Sequence, residues 1–292
     1  MKKIRFTLAM IALVLCSLTV NAQHYTFEVD GIAYNLASDT YTAEVTKASK
    51  LYESDIVIPD TVIYKEEAYN VTSIGRTAFF GCTRLTSITI PESMTSIGGG
   101  AFYGCSSLTS ITIPENVTSI GDHAFCSCSN LTSITIPENV TSIGANAFML
   151  CKLDTIVVAD ENTVYDSRND CNAIIETKTN TLIAGCATTT IPKNITRIED
   201  NAFYGYTDLI SITIPDGVTS IGDWSFFNCG FASVSLPESV TSIGANSFSH
   251  CNKLTSINIP KGVTSIEDNT FSNCIYNHRT TKTNQKYPSV NL

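Results

Sequence analysis

The chain has 292 residues, of which 43% are hydrophobic and 15% charged, and a formal net charge of −9. An acidic balance of that size argues against nucleic acid as a partner, because phosphate binding needs a basic surface. The length and the abundance of Ser and Thr fit a folded β-rich chain of one large or two small domains.

Lys2, Lys3 and Arg5 precede an uncharged apolar run from Phe6 to Val20, which ends in Val20-Asn21-Ala22. This is the pattern of a secretory signal peptide. At about 15 residues the run is too short to span a bilayer, which takes roughly 20. Residues 1–22 are therefore expected to be cleaved, leaving a mature chain from Gln23 with a net charge of about −12. Cys16 follows Leu15 rather than a small residue, which speaks against a lipoprotein signal. No later stretch is apolar for long enough to predict a transmembrane segment in the mature chain.

Residues 23–69 carry strand-like pieces, Tyr25-Thr26-Phe27-Glu28-Val29 and Tyr41-Thr42-Ala43-Glu44-Val45, without a repeating unit. They are expected to form an N-terminal cap. Near their end, Asp55-Ile56-Val57-Ile58-Pro59 already carries an Ile-x-Ile-Pro pattern, so the solenoid is expected to begin near here, with a longer loop before Ile74.

From 70 to 274 the chain repeats. Phe recurs at 79, 102, 125, 148, 203, 226, 248 and 271, at intervals of 23, 23, 23, 55, 23, 22 and 23 residues. In the unit from Ala101 to His123, Ile111 and Ile113 alternate with Thr112, the period of a half-buried strand. Pro114 ends that strand, Val117 and Ile120 return to the interior, and Gly121 turns the chain toward Ala124-Phe125. A unit this short cannot bury its own apolar residues, so neighbours must stack into one continuous core. Eight units spaced about 4.8 Å apart give a strand face roughly 35 to 40 Å long, and one domain.

The pattern Leu-x-x-Ile-x-Ile-Pro-x-x-Val-x-x-Ile-Gly-x-x-Ala-Phe-x-x-Cys, seen in Ile88 to Cys105, Ile111 to Cys128 and Ile134 to Cys151, resembles the BspA-like leucine-rich repeat. The resemblance covers about Ile74 to Cys274. It implies a mainly β fold, a curved, right-handed leucine-rich-repeat solenoid, at the surface of a bacterium or secreted from it. For some members it also implies adhesion to host matrix proteins of the fibronectin or fibrinogen type.

The 55-residue interval predicts an atypical repeat widened by a β-hairpin at about 160–190. A turn centred between Lys178 and Thr179 sets Ile174 opposite Ile183, Ile175 opposite Leu182 and Cys171 opposite Cys186, so a disulfide between the two cysteines is an expectation. Such an insertion reads either as a structural widening or as a binding loop. Seven other cysteines, Cys82, Cys105, Cys128, Cys151, Cys229, Cys251 and Cys274, share one slot, with Tyr206 in the eighth. They read as a column of buried thiols rather than disulfides or zinc ligands, since they lie in a line and do not converge.

No catalytic constellation emerges: His24, His123, His250 and His278 occupy unrelated positions. Acids after the proline, Glu92, Glu115, Glu138, Asp216 and Glu238, read as a solvated turn position, and no metal or cofactor is expected. Gly98-Gly99-Gly100 lacks the lysine of a phosphate loop. Trp224 and Phe227 read as a local packing variation or as a glycan contact. The candidate binding surface is the polar strand face, with Ser87, Ser110, Ser133, Ser211, Ser233 and Ser256 in one column and Thr89, Thr112, Thr135 and Thr213 in another. Such hydroxyls are also simply compatible with a solvated strand. As a binding surface they suit an extended extracellular protein or a polysaccharide. Residues 275–292 form a polar tail without apolar period, expected to be loosely attached.

Overall fold

A computed structural model describes residues 26–275. The expected signal peptide at 1–22, and all of the polar tail beyond its first residue, lie outside the described residues. Among the described residues the chain is strand and turn, with a single 3₁₀ turn at Arg168–Asp170 and no α-helix.

Each coil makes two extended passes, and each pass lies parallel to the equivalent pass of the next coil. The Thr-Ser-Ile pass forms a ladder in which Val45, Ile74, Ile97, Ile120 and Ile143 stand in register. After a break, Leu182, Ile198, Ile221 and Ile243 continue it. The Ser-Ile-Thr-Ile pass forms shorter pairs, Glu53–Val57 with Arg84–Thr89, Ser133–Ile136 with Thr155–Val158, and Ser233–Val234 with Ser256–Ile257. Period-2 alternation decides what points inward: Ile134 and Ile136 are buried, while Ser133 and Thr135 face solvent.

Because every slot repeats, the core consists of columns. Phe79, Phe102, Phe125 and Phe148 stack at 5.1, 5.2 and 5.5 Å with nearly parallel rings. Phe203, Phe226, Phe248 and Phe271 form a second stack at 5.1, 5.4 and 5.7 Å. Burying one such ring stabilises by roughly 1.5–3 kcal/mol, and a well-placed ring pair adds about 0.5–1.5 kcal/mol. Beside them the slot cysteines are free thiols. From Cys105 onward each donates to the carbonyl of the Phe in the preceding coil, at 3.0 to 3.2 Å.

The coil begins inside the stretch read as a cap. Thr42–Thr46 and Glu53–Val57 already occupy both passes of a first turn. The cover itself is the antiparallel pair Thr26–Val29 and Ile32–Ala37, which lies along Thr42–Thr46. Tyr52 closes the first phenylalanine stack 4.6 Å from Phe79, and its hydroxyl bridges the Ala33 amide and the Thr46 carbonyl. The longer loop before Ile74 is the hairpin Thr61–Tyr64 with Glu67–Ile74.

The 55-residue interval resolves into two unequal coils. Gly185 stands in the phenylalanine slot: its amide donates to the Ala202 carbonyl at 2.9 Å, as the Phe79 amide does to Ala101 at 2.7 Å. A side chain there has no room, since a Cβ would lie 2.2 Å from the Phe203 ring. The coil from Phe148 to Gly185 therefore spans 37 residues, and the next, to Phe203, spans 18. The first is widened by the antiparallel hairpin Ala173–Glu176 with Thr181–Gly185, edged by Tyr165–Asp166.

The hairpin register corrects one expectation. Ile175 faces Leu182, but a bulge at Ile183 places Ile174 opposite Ala184 and Ala173 opposite Gly185. That shift by one residue takes Cys186 out of line with Cys171, and the expected disulfide is absent: both are buried free thiols. Cys186 Sγ instead lies 3.4 Å from the Asn172 carbonyl and 3.2 Å from Thr188 Oγ1.

Candidate binding face

All ten hydroxyl residues expected on the strand face are exposed: Ser87, Thr89, Ser110, Thr112, Ser133, Thr135, Ser211, Thr213, Ser233 and Ser256. They do not form an unbroken sheet, because residues 110–113 and 211–214 occupy the same columns outside any strand pair. At the N-terminal end, Thr86 and Ser87 both donate to Asp55 Oδ1, at 2.9 and 2.7 Å. Those bonds, Ser87's foremost, hold the Asp55 carboxyl below the usual carboxylate range and commit the Ser87 hydroxyl. The face is also less uniformly polar than the Ser and Thr columns suggest. Val57 and Val157 stand in register with Thr89 and Thr135, and Ile210, 73% exposed, precedes Ser211.

The face is interrupted by a groove of about 1120 Å³ lined by, among others, Arg168, Asn169, Thr190, Lys193, Ser211 and Thr213. Its origin is the 18-residue coil: with five residues fewer than a unit, this turn recedes between the hairpin coil on one side and residues 211–217 on the other. Arg168 is held in place by Asp166, with Nε at 2.7 Å from Oδ1, and by Asn180 Oδ1 at 3.0 Å from Nη1. Asn169 and Asp170 carry the loop through left-handed backbone, φ 59° and 51°, a conformation that Asn and Asp tolerate.

Of the expected site residues, the structure gathers Ser211 and Thr213 in this groove and distributes the rest along the face. Arg168, Asn169 and Lys193 were not legible as site residues; their signal was the irregular interval, which marks where a coil is too short. The arrangement offers hydroxyl and amide hydrogen bonds, two cationic side chains, the Asp216 carboxylate and scattered apolar contacts. His123 pairs with Asn146 at 3.3 Å and His250 with Ser249 at 2.9 Å, in turns away from the groove. Among the described residues, no three His, Cys, Asp or Glu side chains group as metal ligands, and no helix is long and apolar enough to cross a membrane.

The repeat pattern described for the BspA type leucine rich repeat region matches residues 58–171 and 183–289, in six copies. The chain belongs to the BspA-type leucine-rich repeat family. The match stops at 171 and resumes at 183, so the BspA-type pattern leaves out the first hairpin strand and its turn, beside the groove. Solved structures similar to this BspA-type chain include a leucine rich cell surface protein from Faecalibacterium prausnitzii A2-165, 27% identical over 86% of each chain with a TM-score of 0.60. A leucine-rich repeat protein from Bacteroides ovatus ATCC 8483 is 24% identical over 86% of this chain and 93% of its own, with a TM-score of 0.54. The pneumococcal vaccine antigen PcpA is 16% identical over 87% and 85%, with a TM-score of 0.61. The last two share the fold. No curated protein matches.

Proposed function

We propose that this is a noncatalytic exported protein of the cell surface, or secreted from it, that binds other proteins along its strand face and adheres to host matrix proteins of the fibronectin or fibrinogen type. The observation that carries the reading is the groove: a recess in an exposed hydroxyl-bearing face, with Arg168 fixed at its rim and Ser211 and Thr213 on its wall. An extended polypeptide meets there both hydrogen-bonding groups and the apolar side chains of Pro192 and Ile212. The expected signal peptide supports export, and the Faecalibacterium relative, described as a cell surface protein, supports the placement.

Binding of residues 23–292 to immobilised fibronectin and fibrinogen, against an unrelated solenoid of equal charge, tests this. Saturable binding that Thr213→Arg reduces about tenfold, a change of about 1.4 kcal/mol, is the expected result. Equal signals from the protein and the control would overturn it.

A further inference from the structure

The only tryptophan of the chain occupies a slot whose backbone disfavours it. Two residues before each core phenylalanine the chain turns through left-handed backbone, with φ between 56° and 61° in every case. Seven coils fill that slot with Thr77, Gly100, His123, Asn146, Asn201, Asn246 and Asn269; the eighth uses Trp224 at φ 58°. Gly and Asn suit this conformation, whereas a bulky side chain is strained in it. Trp224 is not a core residue, since 37% of its surface stays exposed. Strain held at an exposed aromatic residue points from structure to function.

Trp224 does not stand alone. Its ring leans on Phe227 at 5.0 Å and on Tyr204 at 6.2 Å, and those two stack on each other at 4.6 Å. They are half-buried, in the slot just after the core phenylalanine, so they back the indole rather than compete with it. Asp200 and Asp223 occupy equivalent, stacked slots immediately before Asn201 and Trp224. Each uses Oδ1 to accept an amide of the following coil, at 2.9 and 2.8 Å, which leaves Oδ2 as an acceptor.

We propose that Trp224, backed by Tyr204 and Phe227, is a platform for a neutral saccharide ring, whose C–H face packs on the indole while its hydroxyls donate to Asp200 and Asp223. A cationic ligand fits less well, because Arg197 already sits among these acids, 3.0 Å from Glu199 and 3.5 Å from Asp200. A protein face fits less well too: the exposed aromatic surface is centred on one indole with two half-buried rings behind it, whereas a stable protein interface takes about 20–30 residues a side. The platform is separate from the strand face and does not depend on what the groove binds.

As the sole tryptophan, Trp224 reports on its own site. Intrinsic fluorescence of residues 23–292, titrated with neutral oligosaccharides of glucose, mannose, xylose and galactose, should show a saturable emission change with at least one of them. Trp224→Asn, which installs the residue favoured in the other coils, should raise the Tm by a few degrees and lower glycan-array binding by about tenfold or more. Tyr204→Ala should weaken the fluorescence titration, and Thr213→Arg in the groove should leave it unchanged. An emission that responds to no neutral glycan overturns the proposal, as does a response only to a basic peptide or a matrix protein. Full glycan binding by Trp224→Asn overturns it equally.

Discussion

The Phe79 carbonyl accepts the Cys82 amide of its own turn at 3.1 Å and the Cys105 thiol of the next coil at 3.1 Å, and the same pair of bonds recurs along the stack. Cysteine fills this slot because it is small and apolar yet still brings a weak donor to a buried carbonyl. Burial pushes two of these thiols, Cys251 and Cys274, up to about 12 and about 11. In the unfolded chain they ionise near pH 8.5. A raised folded-state pKa favours the folded protein fully below the unfolded value, and that contribution is lost as pH rises toward the folded one. The Tm should therefore be level from pH 7 to about 8.5 and fall between about 9 and 12; a level profile to pH 11.5 would contradict the buried-thiol column. The other exacting residue is Gly185. Gly185→Ala puts a methyl group into the Phe203 ring and should cost about 1–3 kcal/mol in urea unfolding, since neither ring nor ladder has space to yield. An unchanged midpoint would mean that Gly185 is not in the phenylalanine slot.

At the scale of elements, the regular coils were legible from the sequence because each slot has its own chemistry: Phe and Leu inward, Ser and Thr outward, Pro and Gly at the turns. Three features were not. One is the first pass of the opening coil, where Val45 stands in register with Ile74 inside a cap-like stretch; the second pass was legible from the Ile-x-Ile-Pro pattern of Asp55 to Pro59. The bulge at Ile183 arises because Ala184 and Gly185 must enter the next coil as its Ala-Phe pair, which no alternation of polar and apolar residues announces. The groove is a subtraction: Arg168 of the hairpin coil and Lys193 of the short coil, 25 residues apart, line one recess. The hydroxyl columns were placed correctly on the exposed face, but the residues that shape the recess were not found. The loop carrying Arg168 tests this account. Arg168→Ala removes its bonds to Asp166 and Asn180 and leaves a half-buried carboxylate without its cation, which should cost about 1–2 kcal/mol. Amide exchange should quicken at residues 166–172 and stay unchanged in Ser96–Ile97 and Ser119–Ile120. Uniform acceleration throughout the chain would mean that the loop is not a separate element.

At the scale of the whole molecule, the same irregularity divides the solenoid. The phenylalanine stack ends at Phe148 and restarts at Phe203, the ladder breaks between Ile143 and Leu182, and a cavity of about 30 Å³, room for about one water, lies at the seam. In a solenoid each turn is stabilised mainly by its neighbours, so cooperativity depends on what crosses such a seam. Asn162 is central there. It is buried, its Nδ2 donates to the Pro137 and Val140 carbonyls at 2.7 and 3.0 Å, and its Oδ1 accepts the Val164 and Tyr165 amides at 2.9 and 2.8 Å. Tyr165 extends the tie by accepting the Ile143 amide at 3.0 Å. Asn162→Ala leaves these buried groups unpaired, at a cost of about 2–4 kcal/mol concentrated at the junction. In the native protein, urea unfolding followed by Trp224 fluorescence, which senses the second stack, should coincide with unfolding followed by far-ultraviolet circular dichroism, which senses both. In Asn162→Ala the two curves should separate, the dichroism losing part of its amplitude before the fluorescence moves. Curves that remain superimposed at a lower midpoint would show that the two stacks are coupled through the strand face instead.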